Sequence, residues 1–293
     1  MSACDPAGRE LWTWVWPLPG ANRYREASDT PARNKAKAKE SAERIEIKAG
    51  DLIVHISKQT GLLAGAQRGT HTFSLANGPR PAAGSARLLR LETKSDASDQ
   101  VVVATFDGDL KQVVWRVRGN GWVQCDYTYA AEGPKDFHGV AFDYPETLVK
   151  RKRWLGNGPY RVWKNRLRGV TLNVWANDYN NTITGWRDWA YPEFKGCFAG
   201  VRWMQLETTE GLLTAIPEPG DSFVQVLTPD LPPTNLVGKT AVQLPRAGLA
   251  FLHAIPPIGS KFKDASTSGP QGQLTIAAGE YHGSVSFYFG NLK

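Results

Sequence analysis

Two early stretches, "RIEIKAG" (44–50) and "LIVHISKQTG" (52–61), alternate apolar and polar residues at period two, and each ends in a glycine. That alternation puts every apolar side chain of a strand on one face and fits no helix. "LLAGAQRG" (62–69) continues the meander. Residues 100–133, "QVVVATFDGDLKQVVWRVRGNGWVQCDYTYAAEG", read as three strands parted by "DGD" and "GNG", which supply the positive-φ residues of hairpin turns. Val113, Trp115 and Val117 share one face there, and Val123, Cys125, Tyr127 and Tyr129 another, which makes both sets core stripes. Further strands are expected at 170–176, 198–208, 211–216, 221–228, 248–255 and 284–289, and no twelve residues show helical periodicity. The fold class is all-β, a large antiparallel β-sandwich.

Composition narrows the partners. The chain has 293 residues, enough to bury a large core without staples. It has no apolar run near the roughly eighteen residues of a membrane span. Its net charge of +7 comes largely from 33–48 and 150–168. In the first segment Lys35, Lys37 and Lys39 alternate with Ala, without aromatics, as in a solvated linker. Neither a recognition helix nor a repeated basic-aromatic strand signature accompanies the charge, so no nucleic-acid partner and no membrane is expected. Cys4, Cys125 and Cys197 are too few and too far apart for a CxxC metal site or a disulfide framework. No signal peptide opens the sequence, which fits either a cytoplasmic product or a piece of a longer chain. Three regions follow: a Trp-rich N-terminal segment (1–26), a basic linker (27–42) and a β-sandwich domain (43–293). In the first, Trp12, Trp14 and Trp16 would share one strand face, packed on the domain or on a neighbour.

The densest feature is "RWLGNGPYRVWKNRLRG" (153–169), which combines glycines, aromatics and cations. Trp154, Gly156, Gly158, Pro159, Tyr160 and Arg166 in this stretch resemble the W-x-G-x-G-P signature of the C-terminal β-sandwich, or small-chain domain, of family 2 β-galactosidases. "LIVHISKQTGLL", "YPEFKGCFAGVRWMQL" and "GEYHGSVSFYF" resemble other parts of that domain in the same order, so the likeness covers roughly 44–293. The resemblance implies a galactose-mutarotase-like supersandwich beside a catalytic barrel that holds the paired glutamates, the sandwich supplying at most a wall of the sugar pocket. Where the family usually shows Glu-Asn-Tyr and a later Asp-Arg, this chain has Tyr160-Arg161-Val162-Trp163 and Asn165-Arg166. "AGLAFLHAIPPIG" (247–259) also lacks the family's pocket Trp.

The residues themselves also point to sugar contact. Pyranose C–H faces pack on aromatic rings, and their hydroxyls need planar donors and acceptors at the rim. Residues 154–191 hold Trp154, Tyr160, Trp163, Trp175, Tyr179, Trp186, Trp189 and Tyr191 among many Arg, Asp and Asn. The carbohydrate-binding candidates are Tyr160, Trp163, Arg166, Trp186, Arg187 and Trp189. The bland alternative is that these rings seal the sandwich ends. Glycosidic hydrolysis needs two carboxyls about 5–9.5 Å apart across the bond. Asp178, Asp188, Glu193 and Glu207 are the nearby carboxylates, with Asp188 and Glu193 the foremost of them, and none lies in a catalytic motif. Epimerase chemistry would need His with a carboxylate. His55 and His253 read as satisfied strand imidazoles, and His138 as a loop residue. Neither a phosphate loop nor a metal pattern is present, and no cofactor is expected. The expected ligand is a saccharide, acidic sugars such as uronates being hinted at by the Arg and Lys excess. The expected protein partner is a catalytic barrel of the same or a companion chain. A freestanding carbohydrate-binding or scaffold domain, and a sugar-active hydrolase or epimerase with its own site, are the alternatives.

Overall fold

A computed structural model describes residues 1–16, 23–32, 34–183, 186–218, 222–233 and 240–292. The chain begins with β1 (Ser2–Cys4), β2 (Glu10–Thr13), the helix α1 (Arg23–Asp29), β3 (Lys37–Glu40), β4 (Arg44–Ala49), β5 (Leu52–Ser57) and β6 (Leu63–Arg68). It continues with β7 (His71–Phe73), β8 (Ala76–Pro81), β9 (Ala86–Asp96), β10 (Asp99–Gly108), β11 (Leu110–Val117), β12 (Val123–Lys135) and β13 (His138–Asp143). The last strands are β14 (Val149–Gly158), β15 (Thr171–Asp178), β16 (Gly196–Phe198), β17 (Trp203–Thr208), β18 (Gly211–Glu218), β19 (Phe223–Val226), β20 (Leu249–Ala254) and β21 (Thr275–Phe289).

Two antiparallel sheets stack as a sandwich, as the sequence predicts. One has nine strands in the order β15-β14-β17-β18-β21-β12-β11-β10-β9. The other has ten, β16-β19-β20-β13-β8-β6-β5-β4-β3, with β7 attached to β6. The inner faces meet in one core that holds Val113, Trp115, Val117, Val123, Cys125, Tyr127 and Tyr129, so both predicted stripes face inward. β3, inside the stretch read as a linker, pairs with β4 and closes one edge of its sheet.

The outer faces are covered too, and this positions the groove described below. On β13, Val140 and Phe142 enter the main core while Ala141 turns to a second apolar cluster; on β20, Leu249 and Phe251 alternate with Ala250 and Leu252 in the same way. Strands buried on both faces read as continuous apolar runs, which is why "GLAFLHAI" shows no alternation. The cover consists of chain excursions carrying Val162, Trp163, Leu244, Ile255 and Ile258. On the opposite side, Tyr24 of α1 seats its ring 4.9 Å from Trp203, over the outer face of the nine-stranded sheet.

Several local readings are corrected. Trp12, Trp14 and Trp16 do not share one strand face, since β2 ends at Thr13 and only Trp12 lies within it; all three are exposed and join none of the apolar clusters. Residues 153–158, whose glycines suit a turn, do not turn: they are the end of β14, paired throughout with β15 and, as far as Leu155, also with β17. Gly158 serves close approach instead, since a Cβ there would sit 2.4 Å from the Trp175 ring on the neighbouring strand. His138 is not a loop residue but the buried first residue of β13. His55 is not satisfied: its Nδ1 is buried without a hydrogen bond, 4.0 Å from the Glu46 carboxylate.

Candidate functional site

Between β14 and β15 the chain leaves the sheet and makes a tight reversal at residues 163–166, where Arg166 N–H donates to the Trp163 carbonyl over 2.8 Å. Asn165 fastens this reversal to the segment after β20. Its amide donates to Ile258 O and its carbonyl accepts from Ile258 N–H, both at 2.9 Å. Arg166 adds a bond from Nη2 to Gly259 O at 2.9 Å, and Lys164 N–H one to Pro256 O at 3.1 Å. The reversal is therefore held at four points on a covered sheet face, so Trp163 and Arg166 are carried by a fixed platform.

A groove of about 520 Å³ opens beside it, lined among others by Tyr160, Trp163, Arg166, Trp186, Tyr191 and Glu193. Among the described residues its wall comes from 160–170, Ile183, 186–193, 229–232, 240–244 and Ile258. Trp163 is only 9 % exposed; most of its ring lies in the outer-face cluster. Trp186 is half-buried. Tyr160 and Tyr191 meet at 4.7 Å between ring centroids. Trp189 does not line the groove but stacks on Tyr191 at 5.3 Å and 11°, and at 63 % exposure it extends the aromatic row into solvent. The Tyr191 phenol, desolvated and hydrogen-bonded to Tyr160, is pushed up to about 12 and stays protonated at ordinary pH.

The charges sort into paired and unpaired groups. Arg161 Nε lies 2.8 Å from Glu193 Oε2, and both side chains are largely buried. Burial pulls the Arg161 guanidinium below its usual range while Glu193 opposes the shift. Its stem packs against Gly196, where a Cβ would come within 2.9 Å of Arg161 Cδ and where the backbone has φ +121°. The guanidinium also lies 5.3 Å from the Trp163 ring centroid. Arg187 is not a lining residue: it stacks 4.3 Å over Trp186 and bonds Asp230 at 2.9 Å. The buried Lys195 reaches the same Asp230 at 3.5 Å and Glu146 at 2.6 Å. Asp188 lies exposed outside the groove, its backbone carbonyl accepting from the Thr182 hydroxyl. Arg166 and Arg168 line the groove, and among the described residues neither has a carboxylate partner.

The structure thus gathers Tyr160, Trp163, Arg166, Trp186 and Glu193 in one place, with Arg187 and Trp189 behind and beside them. Sequence reasoning gave no role to Asn165, Arg161 or Asp230. Asn165 was findable as an Asn at a tight reversal, whereas the pairings of Arg161 and Asp230 span long sequence separations and leave no local signal. No group of three or more His, Cys, Asp or Glu among the described residues is arranged to hold a metal ion.

This is an all-β sandwich with an aromatic and cationic groove on an outer face. No family model and no curated protein sequence matches the chain. Among solved structures it is similar to a beta-arabinopyranosidase, a glycoside hydrolase, at TM-score 0.38 and 11 % identity. The match covers 85 % of this chain and 38 % of that one, so the chain spans well under half of that enzyme's length.

Proposed function

We propose that this chain is a saccharide-binding β-sandwich, the C-terminal module of a glycosidase similar to family 2 β-galactosidases, and is not catalytic alone. The observation that carries the reading is the convergence of Tyr160, Trp163, Trp186 and Tyr191 with Arg166 in one groove of about 520 Å³. Ligand sites are typically about 300–1,000 Å³ with mostly apolar walls and a few placed polar groups. The rings offer faces and edges to a sugar's C–H surfaces, and Arg166 and the phenols offer donors to its oxygens.

Self-contained hydrolysis is the poorer fit. It requires one carboxyl to protonate the leaving group. The two carboxylates of the groove, Glu193 and Asp230, are each engaged by cations, and Asp188 stands outside. In this reading a catalytic barrel, on the same or a companion chain, covers the exposed Leu11, Trp12, Trp14, Val15 and Trp16, an apolar display that calls for a partner. A freestanding carbohydrate-binding domain is the second reading, since the groove would serve it equally.

Titration with neutral and acidic oligosaccharides, followed by tryptophan fluorescence, checks the reading. Binding is expected, and Trp186→Ala should weaken it about tenfold or more. No response to any saccharide, or the same response in Trp186→Ala, would sink it. With aryl glycosides the chain should show no turnover; turnover abolished by Asp188→Asn or Glu193→Gln would overturn the non-catalytic assignment.

A further inference from the structure

Resting on the saccharide reading, we infer that the groove selects a carboxylated sugar, a uronate, whose carboxylate is taken by Arg166 and Arg168. Most cations around the groove are already engaged. Arg161 is committed to Glu193, and Arg187 and Lys195 share Asp230. Arg166 and Arg168 are exposed groove residues with no carboxylate partner among the described residues. Arg166 spends one N–H on Gly259 O, which fixes the guanidinium and leaves four of its donors for a ligand.

Two solvated arginines on a flexible loop would say little. Here the loop is not loose: Asn165, between Trp163 and Arg166, is bonded in both directions to Ile258, and Lys164 Nζ reaches Gln273 O at 2.7 Å. The guanidinium is thus carried next to an aromatic wall that suits a pyranose ring. A planar fork matches a carboxylate bidentately, and such charge-assisted bonds are about twice as strong as neutral ones. A neutral hexose would leave the two guanidiniums to water; a uronate presents its charge at the ring's C5 substituent while its C–H face stays free for the indoles.

Calorimetry with tri-galacturonate, its methyl ester and galactotriose at one ionic strength tests this. The acid should bind about tenfold more tightly than the ester, and Arg166→Gln and Arg168→Gln should each lower that ratio, weakening the acid more than the ester. Arg90→Gln, on the edge strand at the far end of the nine-stranded sheet, should leave the ratio unchanged. If acid and ester bind equally, the uronate preference falls and the saccharide reading stands. If none of the three binds, both fall. If Arg90→Gln lowers the ratio as much as Arg166→Gln, the preference belongs to the chain's overall +7 charge and not to the groove.

Discussion

Glu193→Ala is expected to destabilise the fold by about 3–5 kcal/mol, because it strands the Arg161 guanidinium without its carboxylate in a site where both side chains are largely buried. The desolvation of Arg161 remains after the substitution and the attraction that offset it is gone. Glu193→Gln keeps the shape and an acceptor, so it should cost less. Replacing both partners by apolar residues, as in Arg161→Met with Glu193→Leu, should recover much of the loss, since a well-packed apolar pair avoids the desolvation of two charges. Urea unfolding of the four proteins measures this. A Glu193→Ala loss below about 1 kcal/mol would mean that the pair is solvated and behaves as an exposed one. The substitution also bears on the groove, because Arg161 lies beside the Trp163 ring and leans on Gly196. Loss of saccharide binding in this variant therefore reports on the platform and not on a catalytic carboxylate.

The second large effect depends on pH. Between the sheets, Tyr129 Oη lies 2.7 Å from His138 Nδ1 and 2.8 Å from His253 Nδ1. His253 Nε2 faces the His282 carbonyl at 3.2 Å, and a carbonyl only accepts, so Nε2 carries the proton. Neutral His253 then accepts at Nδ1 from the Tyr129 hydroxyl, and His138 Nδ1–H donates to the Tyr129 oxygen. The relay has one direction. Adding a proton to His253 would leave Tyr129 facing two donors. Burial, then the neighbouring His253 and Lys135, lower the His138 pKa to about 4, against about 6.5 for an unfolded chain. Between those values the unfolded chain binds a proton that the native chain does not, so stability falls as pH falls. The contribution is complete above about pH 6.5 and lost by about pH 4, for a total near 3 kcal/mol. Carboxylates also titrate in this range, so the readout is a difference. The native protein should lose about 3 kcal/mol more than His138→Gln between pH 7 and pH 4. Parallel curves for the two would show that His138 titrates as an exposed histidine.

The two-layer fold was readable because its central strands obey period two: Val113, Trp115 and Val117 point inward as their spacing requires. β20 gave a continuous apolar run because the excursions that carry Trp163 and Ile258 cover its outer face, and no local pattern announces such a cover. β14 is absent from the strands expected from the sequence. Its glycines resemble turn residues, yet Gly158 is flat strand backbone that makes room for the Trp175 ring. The basic run of 150–168 is not one surface patch either. Lys152 is fully buried, donating to the Phe194 carbonyl beneath three rings, with its pKa driven well down by burial. Arg161 is paired inside, and Arg166 and Arg168 stay outside. Composition gave the number of cations but not their sides, because that depends on which strand face each residue takes after the chain leaves the sheet.

The saccharide groove is tested most directly by the indole N–H resonances of the labelled protein during titration with tri-galacturonate. The signals of Trp163 and Trp186 should move together and saturate, while those of Trp115 and Trp122, buried in other clusters, stay in place. Saturable shifts confined to Trp12, Trp14 and Trp16, or no shift at Trp163 and Trp186 at saturating sugar, would contradict the assignment of this groove.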